Sequence, residues 1–149
     1  MGLSVRMSNL MDADGSFPLV LVVDDHAEGR EICARLLMQA GFRVATAING
    51  LDGLVKALSL RPDVIVMDLA MPDLDGFDCT RQLAASSSTR DIPVIVLTAH
   101  ATPEARARAL AAGCRGFLVK PFLPPLLIAE VGRWAGGAQS TGSAPRSSP

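Results

Sequence analysis

Short, wholly apolar runs alternate with amphipathic segments through the middle of this chain. Strands of a parallel sheet that helices cover on both faces have this character, because such strands are buried on both sides. The pattern therefore predicts five parallel strands. Three of the predicted strands are wholly apolar: Leu19 to Val23, Val64 to Met67 and Val94 to Leu97. Two others have a weaker strand pattern: Phe42 to Ala47 and Gly116 to Val119.

The segments between these runs carry apolar residues at helical spacing. Ile32, Leu36 and Leu37 mark one stripe, and the next segment follows the i, i+3, i+4, i+7 pattern of a helix with one apolar face. The second stripe consists of Leu51, Leu54, Val55 and Leu58. Three more helices are predicted at Phe77 to Ala85, Pro103 to Ala112 and Leu126 to Trp134.

Local signals mark several helix ends. Gly41 and Gly113 each follow an alanine at a predicted helix end, where a residue with positive φ is favoured. Thr102 precedes Pro103, the pattern of an N-cap followed by proline at the first helical position. Five β-α units in sequence indicate an α/β doubly wound fold with right-handed crossovers. Ligands of such sheets bind beyond the carboxyl ends of the strands.

The composition indicates one well-buried domain between two tails. The chain has 149 residues, of which 49% are hydrophobic and 19% charged, enough for a single core. Residues 1–16 lack helical or strand periodicity, and residues 136–149 are rich in Gly, Ser, Ala and Pro. We therefore predict a flexible N-terminal segment at 1–16, a folded domain at 17–135 and a disordered tail at 136–149.

Charge and cysteine usage narrow the possible partners. The net charge of −1 gives no general electrostatic reason to expect nucleic acid or an anionic membrane. No apolar run approaches the roughly 20 residues of a membrane helix. The 3 cysteines are far apart and form no CxxC pair, which disfavours structural zinc and a disulfide framework. A cytoplasmic protein without a nucleic-acid or membrane partner is predicted.

Polar side chains stand at the ends of four predicted strands: Asp24 and Asp25, then Asp68, Thr98 and Lys120. These ends share one edge of a parallel sheet, so the side chains should converge. Three carboxylates there would repel one another and would be costly to desolvate without a cation. Oxygen ligands beside a lysine suit Mg²⁺ and a phosphoryl group, whereas zinc or copper would favour thiolate or imidazole.

Each of these residues also has a simpler interpretation. Asp25 could be a helix N-cap with Glu28 in capping-box spacing. Asp68 and Thr98 could be turn residues, and Lys120 could be an ordinary solvated lysine. Their occurrence together, at the ends of four different strands, favours one shared pocket.

With these motifs the chain resembles the response-regulator receiver domain of two-component signalling. The run Asp-x-x-Met-Pro-x-x-Asp-Gly followed by Lys-Pro-Phe is very specific, and the likeness covers residues 18–135. It implies a flavodoxin-like, five-stranded parallel sheet of order 2-1-3-4-5 with five helices. The matching segments are Val22 to Asp25 with Arg30, Met67 to Gly76, Leu97 to Ala99, and Gly116 to Phe122.

The resemblance implies a role for each polar residue. Asp68 would be the phosphoacceptor, phosphorylated by a phosphohistidine on a sensor histidine kinase or a histidine phosphotransfer protein. Asp24, Asp25, Asp68 and the backbone carbonyl of Ala70 would hold Mg²⁺. Lys120 would offset charge on the transferring phosphoryl group, and the peptide between Lys120 and Pro121 is expected to be cis.

The resemblance also implies a switch. Thr98 and Phe117 would respond to phosphorylation and change a protein-interaction surface around helix 4, strand 5 and helix 5. A downstream protein target follows, with the chain a monomer or a phosphorylation-dependent dimer. Ala70 and His100 would border the path of the water that hydrolyses the acyl phosphate. His26 is interpreted as a loop residue near the metal site.

Several functions compete for this sequence. The leading hypothesis is a stand-alone receiver that catalyses only its own phosphorylation and dephosphorylation, since no output domain is visible after Ala135. A constitutive interaction module would not need the five polar residues together. An aspartate-nucleophile phosphatase needs a second acid where Ala70 stands. Flavin or dinucleotide binding is disfavoured because no Gly-rich turn follows Val23.

Overall fold

The computed structural model describes residues 17–70 and 75–141, which form five strands and five helices. The strands are β1 (Leu19–Val23), β2 (Arg43–Ala47), β3 (Val64–Asp68), β4 (Val94–Thr98) and β5 (Gly116–Val119). The helices are α1 (Ala27–Gln39), α2 (Gly50–Leu60), α3 (Gly76–Ala85), α4 (Pro103–Ala112) and α5 (Pro124–Thr141). All strand pairs are parallel, in the order β2-β1-β3-β4-β5. The predicted fold class and strand order are confirmed.

The sheet separates two apolar layers, and alternate residues of each central strand belong to different layers. In β3, Val64 and Val66 face the side covered by α1 and α5, whereas Ile65 and Met67 face the side covered by α2, α3 and α4. All four are buried. Burial on both faces explains why these strands read as unbroken apolar runs.

The strand register places the predicted site residues at the same carboxyl edge of the sheet. Val23 of β1 pairs with Met67 of β3, so Asp24 and Asp68 follow at neighbouring positions of the same edge. In the next pairs, Asp68 lies opposite Leu97, and Thr98 opposite Val119. Thr98 and the residue after β5, Lys120, therefore lie at that edge as well.

Helix α2 does not bury the apolar stripe that its sequence pattern predicts. The side chains that α2 buries are small: Gly50, Gly53 and Ala57. Leu51, Val55 and Leu58 of the stripe are each more than half exposed. A Cβ on Gly53 would lie 3.0 Å from a methyl carbon of Val23, so small residues allow α2 to lie close to β1. Of the predicted stripe, Leu54 is partly buried against the core, while the other three residues face outward.

The helix ends agree with their local signals in most places. Thr102 is the N-cap of α4 and accepts a hydrogen bond from the Ala105 N–H at 3.0 Å. Gly41 and Gly113 both have positive φ. The N-cap of α1 is His26 rather than Asp25, so the capping-box interpretation of Asp25 is wrong.

The last helix is longer than predicted. It continues to Thr141, whereas the sequence placed the end of the domain at 135. Extending a helix that is already anchored requires no new nucleation, which lowers the cost of adding residues such as Ala138 and Gln139. Residues 136–141 are therefore helical, and the rest of the predicted tail, like the N-terminal segment 1–16, lies outside the described residues.

Among the described residues, no helix has the length and apolar character needed to cross a membrane. Cys33, Cys79 and Cys114 are buried and form no disulfide. Burial raises the pKa of the Cys33 and Cys79 thiols to about 12. These thiols are therefore protonated and poor ligands or nucleophiles at neutral pH.

Candidate functional site

Three carboxylates meet beyond the ends of β1 and β3, and we call Asp24, Asp25 and Asp68 the acidic side of the site. Asp24 and Asp68 are buried. Asp24 is held by its backbone, because its N–H donates to the Ala47 carbonyl at 3.2 Å and its side chain accepts from the His26 N–H at 2.9 Å. The Asp68 carboxylate accepts from the Ala70 N–H at 3.3 Å. Local backbone contacts thus fix two of the three carboxylates.

Asp25 supplies the observation that a cation would explain. Its Oδ1 atom is fully buried and accepts no hydrogen bond from the described residues, although the His26 Nδ1 atom lies 3.2 Å away. A buried carboxylate oxygen without a partner is costly unless a cation or water satisfies it. With the neighbouring oxygens of Asp24 and Asp68, it forms a donor set that fits a hard divalent cation such as Mg²⁺.

The Asp68 carboxyl is electrostatically unusual. Burial raises its pKa above the usual value, and the neighbouring Asp24 carboxylate raises it further, while the Lys120 ammonium group acts in the opposite direction. A carboxylate that is crowded by negative charge and shielded from water gains from any added positive charge. This environment suits a group that works with a bound cation.

On the other side of the pocket lie Thr98, Phe117 and Lys120, which we call the switch side. The Lys120 Nζ atom is 3.6 Å from Asp68 Oδ1, and 34% of the side chain is exposed. The Lys120 backbone N–H donates to the Thr98 carbonyl at 2.8 Å, and the following peptide to Pro121 is cis, as expected. The lysine is therefore directed at the carboxylate from outside the sheet edge.

Thr98 and Phe117 are held by local contacts. The Thr98 hydroxyl oxygen accepts a hydrogen bond from the His100 N–H at 2.9 Å. Phe117 is half-buried on β5, and the Arg106 guanidinium group of α4 lies 5.0 Å from the centre of its ring. The structure thus places the two predicted switch residues on adjacent strands, with α4 in contact with one of them.

Three residues that the sequence analysis named make contacts at this site that the sequence did not specify. Arg30 donates from its side chain to the Asp24 carbonyl at 2.8 Å. Gly76 begins α3 so close to the acidic side that a Cβ there would lie 2.5 Å from the Asp68 carbonyl oxygen. His26 belongs to the carboxylate cluster itself. The Asp-Gly pair at the start of α3 indicated the glycine, and the place of His26 after two acids indicated a loop residue near the metal site. The contact of Arg30 with the Asp24 carbonyl has no local signal.

Ala70 and His100, which the resemblance places beside the path of the hydrolytic water, contact two site residues through their backbones. Ala70 is exposed, and its N–H contacts the Asp68 carboxylate. His100 is also exposed, and its backbone engages Thr98. Residues 71–74, the middle of the Met67 to Gly76 motif, lie outside the described residues.

Comparisons with known proteins agree with this geometry. The family model for the response regulator receiver domain matches residues 20–132. The transcriptional regulatory protein PrrA of Mycobacterium leprae is 43% identical over 121 residues, which cover 81% of this chain and 51% of that protein. The chain spans about half the length of the curated relatives it matches.

Solved structures of similar proteins have the same fold. The chemotaxis protein CheY4 of Vibrio cholerae is 36% identical with a TM-score of 0.75, covering 78% of this chain and 98% of that one. The receiver domain of the sensor histidine kinase PA1611 from Pseudomonas aeruginosa is 34% identical with a TM-score of 0.75, covering 80% of this chain and 98% of that one. That structure is described with a magnesium ion coordinated in the active site cleft.

The fold and the acidic pocket together define a phosphoacceptor domain of two-component signalling. This chain belongs to the response regulator receiver domain family. Receiver domains interact with histidine kinases or phosphotransfer proteins, and they are signalling domains rather than enzymes that turn over a separate substrate.

Proposed function

We propose that this chain is a single-domain response regulator that accepts a phosphoryl group on Asp68. The donor is a phosphohistidine on a sensor histidine kinase or a histidine phosphotransfer protein. The observation that carries the proposal is the convergence of three carboxylates and Lys120 at one sheet edge, with Asp68 nearest to the lysine.

The acidic side holds a divalent cation in this proposal. Asp24, Asp25, Asp68 and the backbone carbonyl of Ala70 are the protein ligands, and Mg²⁺ supplies positive charge against the phosphoryl oxygens. The unpartnered Asp25 Oδ1 and the raised pKa of Asp68 support this assignment, because both are features that a bound cation relieves.

In the transfer step the protein forms one covalent bond, and its other residues position the groups and stabilise charge. A carboxylate oxygen of Asp68 attacks phosphorus, an O–P bond forms, and the N–P bond of the donor phosphohistidine breaks. The electron pair of that bond returns to the imidazole nitrogen. Lys120, at 3.6 Å from the Asp68 carboxylate, is placed to offset the negative charge that the acyl phosphate brings.

The switch side then changes conformation when Asp68 is phosphorylated. Thr98 exchanges its contact with the His100 N–H for one with a phosphoryl oxygen, and Phe117 moves inward from its position beside Arg106. The surface that changes comprises α4, β5 and α5. Converting a 1:99 equilibrium into 99:1 requires about 5.5 kcal/mol, which new hydroxyl and ammonium contacts to a phosphoryl group can supply together.

A groove beside the site suits the phosphodonor protein. A mostly apolar cavity of about 380 Å³ lies between α1 and the start of α5, next to Asp24 and Lys120. Ile32, Leu36 and Phe122 are among its lining residues. An apolar side chain of the donor that enters this cavity would hold its phosphohistidine over the pocket.

We further propose that the chain acts through a protein target in the cytoplasm, without a nucleic-acid or membrane contact of its own, as a monomer or a phosphorylation-dependent dimer. The net charge of −1 supports the absence of a nucleic-acid contact. Longer relatives such as PrrA are named transcriptional regulators. We place their output function in the part of their length that this chain does not match.

Intact-mass analysis after incubation with acetyl phosphate tests the phosphoacceptor. We expect one phosphate adduct that requires Mg²⁺, is absent in Asp68→Asn and persists in Asp91→Asn, a matched change at an exposed aspartate. An adduct that survives in Asp68→Asn would overturn the assignment. If no adduct forms even at short times, failure of the chain to bind beryllofluoride would indicate a constitutive interaction module instead.

A further inference from the structure

The side chain of His26 lies inside the cluster that the proposed function assigns to the cation. His26 and the three aspartates each offer one ligand atom, and all four atoms lie within 4.8 Å of one another. Neighbouring ligands of a tetrahedral or octahedral first-row ion lie about 3–3.5 Å apart, as metal–ligand distances of about 2.0–2.2 Å require. A side-chain movement of roughly 1–2 Å at the most widely separated pair would bring all four atoms onto one ion.

The imidazole lies against the carboxylates of the cluster and makes no helix-capping contact. His26 is the N-cap of α1, but its side chain makes no capping hydrogen bond. It is 73% exposed, and its Nδ1 atom lies 3.2 Å from Asp25 Oδ1 and 3.6 Å from Asp24 Oδ1. Its backbone is fixed from below by the hydrogen bond to the Asp24 carboxylate. The imidazole thus faces the oxygen that has no partner among the described residues.

A nitrogen ligand changes which cations the site prefers. Carboxylates and carbonyls suit Mg²⁺, whereas imidazole suits Co²⁺, Ni²⁺, Cu²⁺ and Zn²⁺. Mg²⁺ also keeps several waters and takes only one or two carboxylates from a protein, so it gains little from an additional histidine.

We infer that His26 is an additional metal ligand, which gives this site a preference for transition-metal dications over the one its carboxylates alone would have. The inference rests on the proposed cation site. It concerns the choice of ion, and His26 has no part in the transfer of the phosphoryl group.

The chain itself provides clean controls. It contains 2 histidines, so His100 is the matched comparison. His100 is exposed and contacts Thr98 through its backbone, and it is not a member of the cluster. The three cysteines are buried and are therefore poor competitors for the added metal.

Calorimetric titration of the untagged full chain with Ni²⁺ and with Mg²⁺ tests the inference. Replacing His26 by alanine should weaken Ni²⁺ binding about tenfold or more and leave Mg²⁺ binding within about twofold, since losing even an outer partner of a metal site costs about 10-fold to 100-fold. His100→Ala should alter neither affinity. The visible absorption of bound Co²⁺ should change in the His26 variant alone.

The outcomes separate this inference from the proposed function. If Ni²⁺ affinity falls no more than Mg²⁺ affinity in His26→Ala, the imidazole is only a neighbour of Asp25 and the inference is overturned, while Mg²⁺-dependent phosphorylation of Asp68 can still stand. If Ni²⁺ binds through His26 but acetyl phosphate leaves no adduct and beryllofluoride does not bind, the ligand assignment stands and the phosphoacceptor proposal fails.

Discussion

The acidic side and the switch side of this pocket are held in different ways. Asp24 and Asp68 are buried, and hydrogen bonds from backbone groups fix them. On the switch side Thr98 is also buried, but Lys120 is one-third exposed and Phe117 is half-buried. The helix next to Phe117, α4, buries only Ala109 and Ala112, whereas α5 buries Leu127 and Val131.

The difference follows from apolar burial. A fully buried valine or leucine contributes about 1.5–3 kcal/mol, and alanine much less, so α4 has little to anchor it against the sheet. Elements with few buried apolar contacts open at the lowest free energy. Asp24 and Asp68 are thus preorganised for chemistry, while the neighbouring helix is weakly held, which is the arrangement that a phosphorylation-driven switch requires.

The largest expected effect comes from disturbing the rigid side. In Gly76→Ala the new Cβ would lie 2.5 Å from the Asp68 carbonyl oxygen and 2.6 Å from the Leu69 Cα, both backbone atoms. Overpacking of this kind costs about 1–3 kcal/mol or more. We expect the free energy of unfolding, measured with urea, to fall by about 3 kcal/mol.

Gly53→Ala is the matched control for that change. Its Cβ would meet methyl carbons of Val23 at 3.0 and 3.1 Å, and these belong to a side chain rather than to the backbone. Because alanine also gains about 1 kcal/mol in helix propensity, we expect a change within about 1 kcal/mol. Equal losses in the two variants would show that contact with the acidic side is not what makes Gly76 necessary.

Removing the lysine tests whether the switch side contributes to chemistry. Two unit charges 4 Å apart interact by about 4 kcal/mol at an effective dielectric of 20, and partial exposure of Lys120 reduces this. We expect Lys120→Ala to slow phosphorylation by acetyl phosphate about tenfold to hundredfold. Lys56→Ala removes a lysine that pairs with Asp52 outside the site and should leave the rate unchanged. A Lys120 variant as fast as wild type would contradict the assignment.

The raised pKa of Asp68 predicts a smaller effect on stability. The folded protein binds this proton more tightly than the unfolded chain, so the stabilising contribution is present below the usual pKa of 3.8 and is lost as pH rises through the folded value. At neutral pH without divalent cations the buried charge therefore destabilises the fold.

Asp68→Asn should consequently be more stable than wild type in metal-free buffer at neutral pH, because asparagine places no charge in this buried position. Thermal unfolding at pH 4 and at pH 7 measures this difference, which should grow with pH. Mg²⁺ should raise the Tm of the wild type more than that of the variant. The exposed Asp91→Asn should behave as wild type, and a similar gain there would refute the argument from burial.

The smallest expected effect concerns Phe117. A cation–π contact at an exposed site contributes about 0.5–1 kcal/mol, and the Arg106 contact at 5.0 Å holds Phe117 in its present orientation. Arg106→Ala should therefore favour the inward state and tighten beryllofluoride binding about twofold to fivefold. Arg108 covers Phe77 at 3.9 Å and belongs to the same helix, so Arg108→Ala is the control. Weaker or equal binding in the two variants would exclude this role for Arg106.

Sequence patterns located most of the fold because most of its elements satisfy simple rules. The buried strands are apolar on both faces, and Thr102 caps α4 as its neighbours indicate. The rule failed at α2, where Leu51 and Val55 are exposed and Gly53 faces the sheet. Periodicity identifies an apolar face, but which face is buried depends on how closely the helix approaches the strands.

For the site, the sequence by itself determined which residues end the strands. Parallel strands share one carboxyl edge, so Asp24, Asp68, Thr98 and Lys120 had to converge once the strands were assigned. Only the tertiary structure decided that Asp25 Oδ1 is buried without a partner among the described residues, that Gly76 abuts Asp68, and that His26 faces the carboxylates. These properties depend on side-chain orientation and on distances of a few ångströms, neither of which a linear pattern specifies.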